Sequence, residues 1–175
     1  MSNIDLASYN RQGKLFVAAN VAAKSVIAVT TAMTGVILHN PAGSGKKLLI
    51  VDAGWVWTTV PAAVHNIGLA LAAPNATAPS SLTAIGSGVL AADGSGASTL
   101  AVGRAYDAAT LAVAPIIVRW LGGAAWGTTV GVAPFSIHDY VDGALLLVPG
   151  ATLTFAAVTT TAVGMGSVSW VEVPV

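Results

Sequence analysis

The chain has 175 residues, of which 8% are charged and 55% hydrophobic, with seven basic and seven acidic side chains and no cysteine. The length suits one domain with a sizeable core. The absence of cysteine excludes disulfides and thiolate metal sites, and the even charge balance gives no general attraction to nucleic acid.

Residues 1–13 are polar, with Asn3, Asp5, Ser8, Asn10, Arg11 and Gln12 among few apolar side chains. They are expected to form an extended, flexible arm that a partner orders, with Ile4, Leu6, Tyr9 and Arg11 as candidate contacts. The start lacks the charged region, apolar core and cleavage site of a secretory signal, so none is expected.

From Lys14 onward, Gly, Pro, Asn and Asp punctuate the chain about every ten residues, the spacing of short strands in a sandwich or barrel. The expected fold is all-β: a single antiparallel β-sandwich over residues 14–175. Strands are expected near 15–22, 25–31, 34–40, 46–59, 64–72, 85–91, 98–106, 112–121, 131–138, 143–148, 151–157 and 165–173. Fusion and loss should leave about eight to ten of them in two sheets.

Ala42-Gly43-Ser44-Gly45-Lys46-Lys47 invites comparison with a phosphate-binding loop. That motif needs Gly at the position of Asn40, a hydroxyl residue at the position of Lys47, and a helix afterwards. A hairpin turn following Asn40-Pro41 fits better. In the next run Leu49, Val51, Trp55 and Trp57 fall on one side of a strand and Leu48, Ile50 and Val56 on the other. Both sides are apolar, as they are in Ala144–Val148, so loops or a neighbouring subunit are expected to cover the second side.

Residues 73–84 read as a long surface loop and residues 92–97 as a glycine-rich turn. His138–Gly143 reads as a turn ending in Asp-Gly. Thr152–Ala157 and Ser167–Trp170 show the clearest alternation, with Leu153, Phe155, Val168 and Trp170 pointing to the core. The stretch from Gly143 to Val171 carries no charge, but Pro149-Gly150 and the glycines at 164 and 166 divide it into strands, so no membrane-spanning helix is expected; strands leave a transmembrane β-barrel as the alternative, and no membrane partner is read.

His39, His65 and His138 are expected at strand ends, with no metal or catalytic role. The acids are few and scattered, and no hydrolase site or cofactor site is read. Trp55, Trp57, Trp120 and Trp170 lie inside strand patterns and are expected in the core. Trp126, in a glycine-rich stretch, is the candidate exposed contact residue.

Two passages carry a resemblance. Gly35–Ile50, with Asn40-Pro41-Ala42-Gly43-Ser44-Gly45 between hydrophobic strands, resembles a hairpin of small bacteriophage virion proteins. The ending, from Leu145–Gly150 through Trp170–Pro174, resembles the last strands of viral jelly rolls. The resemblance implies a jelly-roll-like sandwich and a trimeric capsid-decoration or cement protein, or a head-fibre or tail component. It carries over no catalytic motif. The resulting expectation is a non-enzymatic virion component that packs with its own copies and with capsid or other virion proteins. A receptor- or glycan-binding head of the same fold is the alternative.

Overall fold

Alternating side chains bury one face of a strand, and two such faces closing on each other make the architecture here. The computed structural model describes residues 5–59, 65–97, 100–124, 135–158 and 161–175. Strands take 61% of them and helix 4%. The order is α1 (Leu6–Arg11), β1 (Leu15–Ala19), β2 (Lys24–Val26), β3 (Ala32–His39), β4 (Lys46–Trp57), β5 (His65–Ala72), β6 (Ser80–Ala84), β7 (Leu90–Ala91), β8 (Gly96–Ala97), β9 (Arg104–Thr110), β10 (Ile116–Ala124), β11 (Ser136–Leu147), β12 (Thr152–Ala157) and β13 (Ala162–Pro174).

One sheet runs β11-β4-β13-β1-β7-β8, with β2 also pairing to β13, and the other runs β10-β5-β12-β3-β9-β6. All ladders between named strands are antiparallel, so the expected β-sandwich is the observed fold. No described helix is long and apolar enough to cross a membrane.

The main core lies between the sheets. Trp55 stacks against Phe155 at 5.8 Å, and Phe16 meets Trp170 at 6.0 Å between ring centroids. Strand β4 corrects the sequence reading. Ile50 pairs with Trp170 but Asp52 pairs with Ser169, so Val51 is an extra residue in a bulge. The bulge reverses the alternation. Leu48 and Ile50 point inward before it, Ala53, Trp55 and Trp57 after it, and all five belong to the same core. Much of the double-sided apolar pattern in β4 is therefore one buried face whose phase shifts.

Strand β12 is buried on both faces. Leu153, Phe155 and Ala157 enter the main core, while Ala156 joins a second cluster with Ile37, Ala70, Ala72 and Leu111. Leu111 belongs to the connection from β9 to β10, which must cross the outer face of this sheet because those strands lie far apart in it. Leu111, Ala112 and Val113 border a small cavity there with His39, Ala72 and Thr152. The chain thus covers part of this face itself.

The hairpin expected at Asn40–Lys47 is a crossing between sheets, since β3 and β4 belong to different ones. The β11–β12 connection crosses at the same end, and Asn40 ties the two together. Its backbone N–H donates to Ala151 O (3.0 Å), and its carbonyl accepts from Gly150 N (2.7 Å). Its fully buried side-chain amide donates to Lys46 O and Leu147 O at 2.8 and 2.9 Å. Gly150 adopts φ +87°, and a Cβ there would lie 2.8 Å from Asn75 O, so only glycine suits this corner.

Other expectations shift for local reasons. The arm is helical where it is described: the Asp5 side chain caps α1 by accepting from Ser8 N. The loop expected over 73–84 contains β6, all five of whose residues are exposed, so no apolar period marks it. It exists because the edge of β9 supplies hydrogen-bond partners. The strand expected at 85–91 shrinks to β7. The turn expected at His138–Gly143 is a bulge inside β11, where Asp142 (φ 48°) and Gly143 (φ 76°) are left-handed and the register against β4 slips between Tyr140 and Leu145. Thirteen strands are described, against the eight to ten expected.

Candidate interaction surface

β10 and β11 are the matching edges of the two sheets. The Arg119 guanidinium on β10 forks onto the Asp139 carboxylate on β11, with Nη2 3.0 Å from Oδ1 and Nε donating to Oδ2. This pair pins the edges together. Beside it Ile117 packs against the second cluster on the outer face, and Leu121 packs against the main core.

The rest of β10 faces water. Ile116 is 72% exposed, Val118 46% and Trp120 54%. The expectation of a core position for Trp120 is therefore wrong. Its ring lies over Gly68 on β5, where an added Cβ would stand 3.0 Å from Trp120 Cε3. The signal was present: Ile116-Ile117-Val118-Arg119-Trp120-Leu121 is apolar on both sides, as β4 seemed to be. On the neighbouring edge Tyr140 is 76% exposed, and Leu146 and Phe135 are also exposed. Both β10 and β11 carry register shifts, which disfavour open-ended strand addition and leave side chains as the contact surface.

A groove of about 330 Å³ lies on the outer face of the first sheet. Its lining includes Ala19, Gly54, Val56, Ser136, His138, Met165 and Ser167. Beside it His138 Nε2 stands 3.7 Å from Asp52 Oδ1, and the His138 and Tyr140 rings meet edge-on at 4.5 Å.

The buried acids have structural partners. Glu172, 1% exposed, accepts from Val102 N and Gly103 N at 2.9 Å and from the Trp170 indole at 3.3 Å, holding the approach to β9. Asp107 accepts from Asn20 Nδ2 (2.7 Å) and pairs with Lys24 Nζ (2.8 Å), joining the second sheet to the first. Among the described residues no group of three or more His, Asp or Glu could hold a metal ion. The segment after Asn40–Lys47 is strand β4, so the helix that a phosphate-binding loop would open is replaced by a strand.

Burial lowers the pKa of His39, against a smaller upward pull from the Ala151 backbone, and burial also lowers that of His65. Each folded-state pKa thus lies below the ordinary 6.5. The unfolded chain takes up protons first, so this stability is fully present above pH 6.5 and is lost as pH falls through the window beneath it. Each residue contributes a slope of at most about 1.4 kcal/mol per pH unit. Urea unfolding between pH 7 and pH 5 should show falling stability, with a shallower slope in His39→Gln; an unchanged slope would discount His39.

Of the candidate contact residues, Leu6 and Tyr9 are half-buried on α1 and Arg11 is exposed at its end. Ile4 and Trp126 lie outside the described residues. Among the described residues Trp120 and Tyr140 are the most exposed aromatic side chains of the two edges, and the sequence reading did not select them. No family model, curated protein or solved structure matches this chain.

Proposed function

We propose that this chain is a non-enzymatic structural component of a virus particle, decorating or cementing the capsid as a homotrimer. The observation that carries the reading is the apolar edge strand β10, on which Ile116, Val118 and Trp120 are exposed. An ordinary domain carries about 25% charged residues, and this one carries 8%. Burying apolar surface contributes about 25 cal/mol per Å², so a second copy laid against this edge gains free energy directly. Zero formal net charge means that copies do not repel one another at long range. Closed rotational symmetry buries identical edges without leaving an open end.

The trimer, the jelly-roll-like class and the place in a virion rest on the resemblance carried by Gly35–Ile50 and Leu145–Pro174. The partners are then other copies and capsid or other virion proteins, and no cofactor is required. Leu6, Tyr9 and Arg11 supply the arm contacts to a neighbour or to the shell beneath. The groove on the first sheet favours the second reading, a glycan-binding head of the same fold.

Sedimentation at micromolar concentration should give three times the 17.3 kDa of one chain. Trp120→Glu combined with Ile116→Asp should yield single chains with an unchanged far-ultraviolet spectrum. A wild-type mass of one chain would overturn the assembly.

A further inference from the structure

Strand register arranges the outward side chains of the first sheet in rows. Ser136, Val56 and Met165 lie side by side across β11, β4 and β13. His138, Gly54, Ser167 and Ala19 make the next row, the last on β1, and Tyr140, Asp52, Ser169 and Val17 the third. Paired residues share a face, about 5 Å apart, so the middle row spans ~14 Å across the strands. It is the low row. Ala19 and Ser167 are short, and Gly54 has no side chain. A Cβ on Gly54 would stand 3.1 Å from Ser167 Oγ and 3.3 Å from His138 Cδ2, so a side chain there would displace both of these lining groups.

The walls differ in chemistry. Val56 and Met165 make an aliphatic side, with the Ser136 hydroxyl at its end. At the β11 end stand His138 and the 76% exposed Tyr140 ring, with the Asp52 carboxylate behind them.

We propose that this groove binds a neutral saccharide. A sugar ring has an apolar C–H face and a rim of hydroxyls. The aliphatic wall and the exposed Tyr140 ring, one row beyond the lining, suit the first. For the rim the lining offers two serine hydroxyls that donate and accept and an imidazole, with the Asp52 carboxylate, which only accepts, behind the imidazole. No lysine or arginine stands in these rows, so a phosphate or an acidic sugar would meet the Asp52 carboxylate with only the His138 imidazole beside it. A peptide gains little, because the groove runs across mid-sheet strands whose main-chain groups are already paired on both sides. The volume, about 330 Å³, is at the small end for ligand sites, which suits a short saccharide. The site lies away from the β10 edge; the inference deepens the glycan-binding reading above and does not rest on the assembly.

The test is a titration of the full ¹⁵N-labelled chain with methyl glycosides of galactose, mannose and N-acetylglucosamine. N-acetylneuraminic acid and a peptide of residues 1–13 serve as rivals. At least one neutral glycoside should produce saturable shifts at the amides of Gly54, His138 and Ser167. Tyr140→Ala should weaken this binding ~10-fold, the worth of one good aromatic contact. Ser167→Phe should fill the groove and abolish binding while the rest of the spectrum is retained. The proposal fails if no neutral glycoside shifts these amides. It also fails if binding survives in Ser167→Phe, if N-acetylneuraminic acid binds more tightly, or if the peptide takes the groove in preference to every sugar.

Discussion

Replacing Trp170 with alanine should lower the unfolding free energy by about 3–5 kcal/mol, the range for removing a large aromatic from a packed core. Trp170 is fully buried, and it stands at the centre of one half of the sandwich. Its ring meets Phe16 at 6.0 Å, and its indole N–H donates to Glu172 Oε1 at 3.3 Å. The backbone of Gly103 comes so near that an added Cβ would lie 3.0 Å from Trp170 Nε1. Truncation leaves a cavity between β13, β1 and the segment before β9, and removes one of the donors that hold a buried carboxylate. Trp120→Ala is the internal comparison, because its ring is 54% exposed and its loss should cost no more than about 1 kcal/mol within a single chain. Both should be measured by guanidinium unfolding at one protomer concentration, since assembly adds a concentration-dependent contribution. Equal losses in the two variants would contradict the core position of Trp170.

Asn40→Ala should cost about 2–4 kcal/mol although it removes little apolar area. The Asn40 amide donates to Lys46 O and Leu147 O, and its Oδ1 accepts from Ser44 Oγ at 2.7 Å. Those carbonyls belong to the start of β4 and the end of β11, so the side chain carries the β4–β11 pairing, which ends at Leu48 and Leu147, on into the two crossings. Alanine strands buried acceptors that water reaches poorly, and their desolvation is no longer offset. Asn40→Asp separates shape from chemistry. It keeps the volume but replaces two donated hydrogens with an acceptor facing acceptors, and should be at least as damaging. Native-state hydrogen exchange should quicken first at Gly150 and Ala151, whose amides bond Asn40 O and Val148 O. Wild-type stability in Asn40→Ala would show that the crossings hold without this residue.

The sequence alone determined the parts that depend on local period. In Thr152–Ala157 and Ser167–Trp170 the alternation named Leu153, Phe155, Val168 and Trp170 as core, and all are buried. Such segments carry their answer in consecutive side chains, because a strand places them on opposite faces whatever it pairs with. The all-β class and the low-charge surface follow from composition and turn spacing in the same way.

What only the tertiary structure decided is whatever depends on a partner distant in sequence. The bulge at Val51 exists because β13 pairs in a particular register, and it turned an apparent two-faced strand into one core face. Strand β6 has no buried face to leave a pattern and is defined by the edge of β9. The Asn40–Lys47 segment reads as a hairpin until the two sheets are seen to be joined there. Trp120 reads as core because hydrophobicity records a preference for burial but not whether other strands are near enough to provide it. The groove has the same origin: Gly54, Ser167 and Ala19 are unremarkable in their own segments, and only the pairing of β4, β13 and β1 sets them side by side.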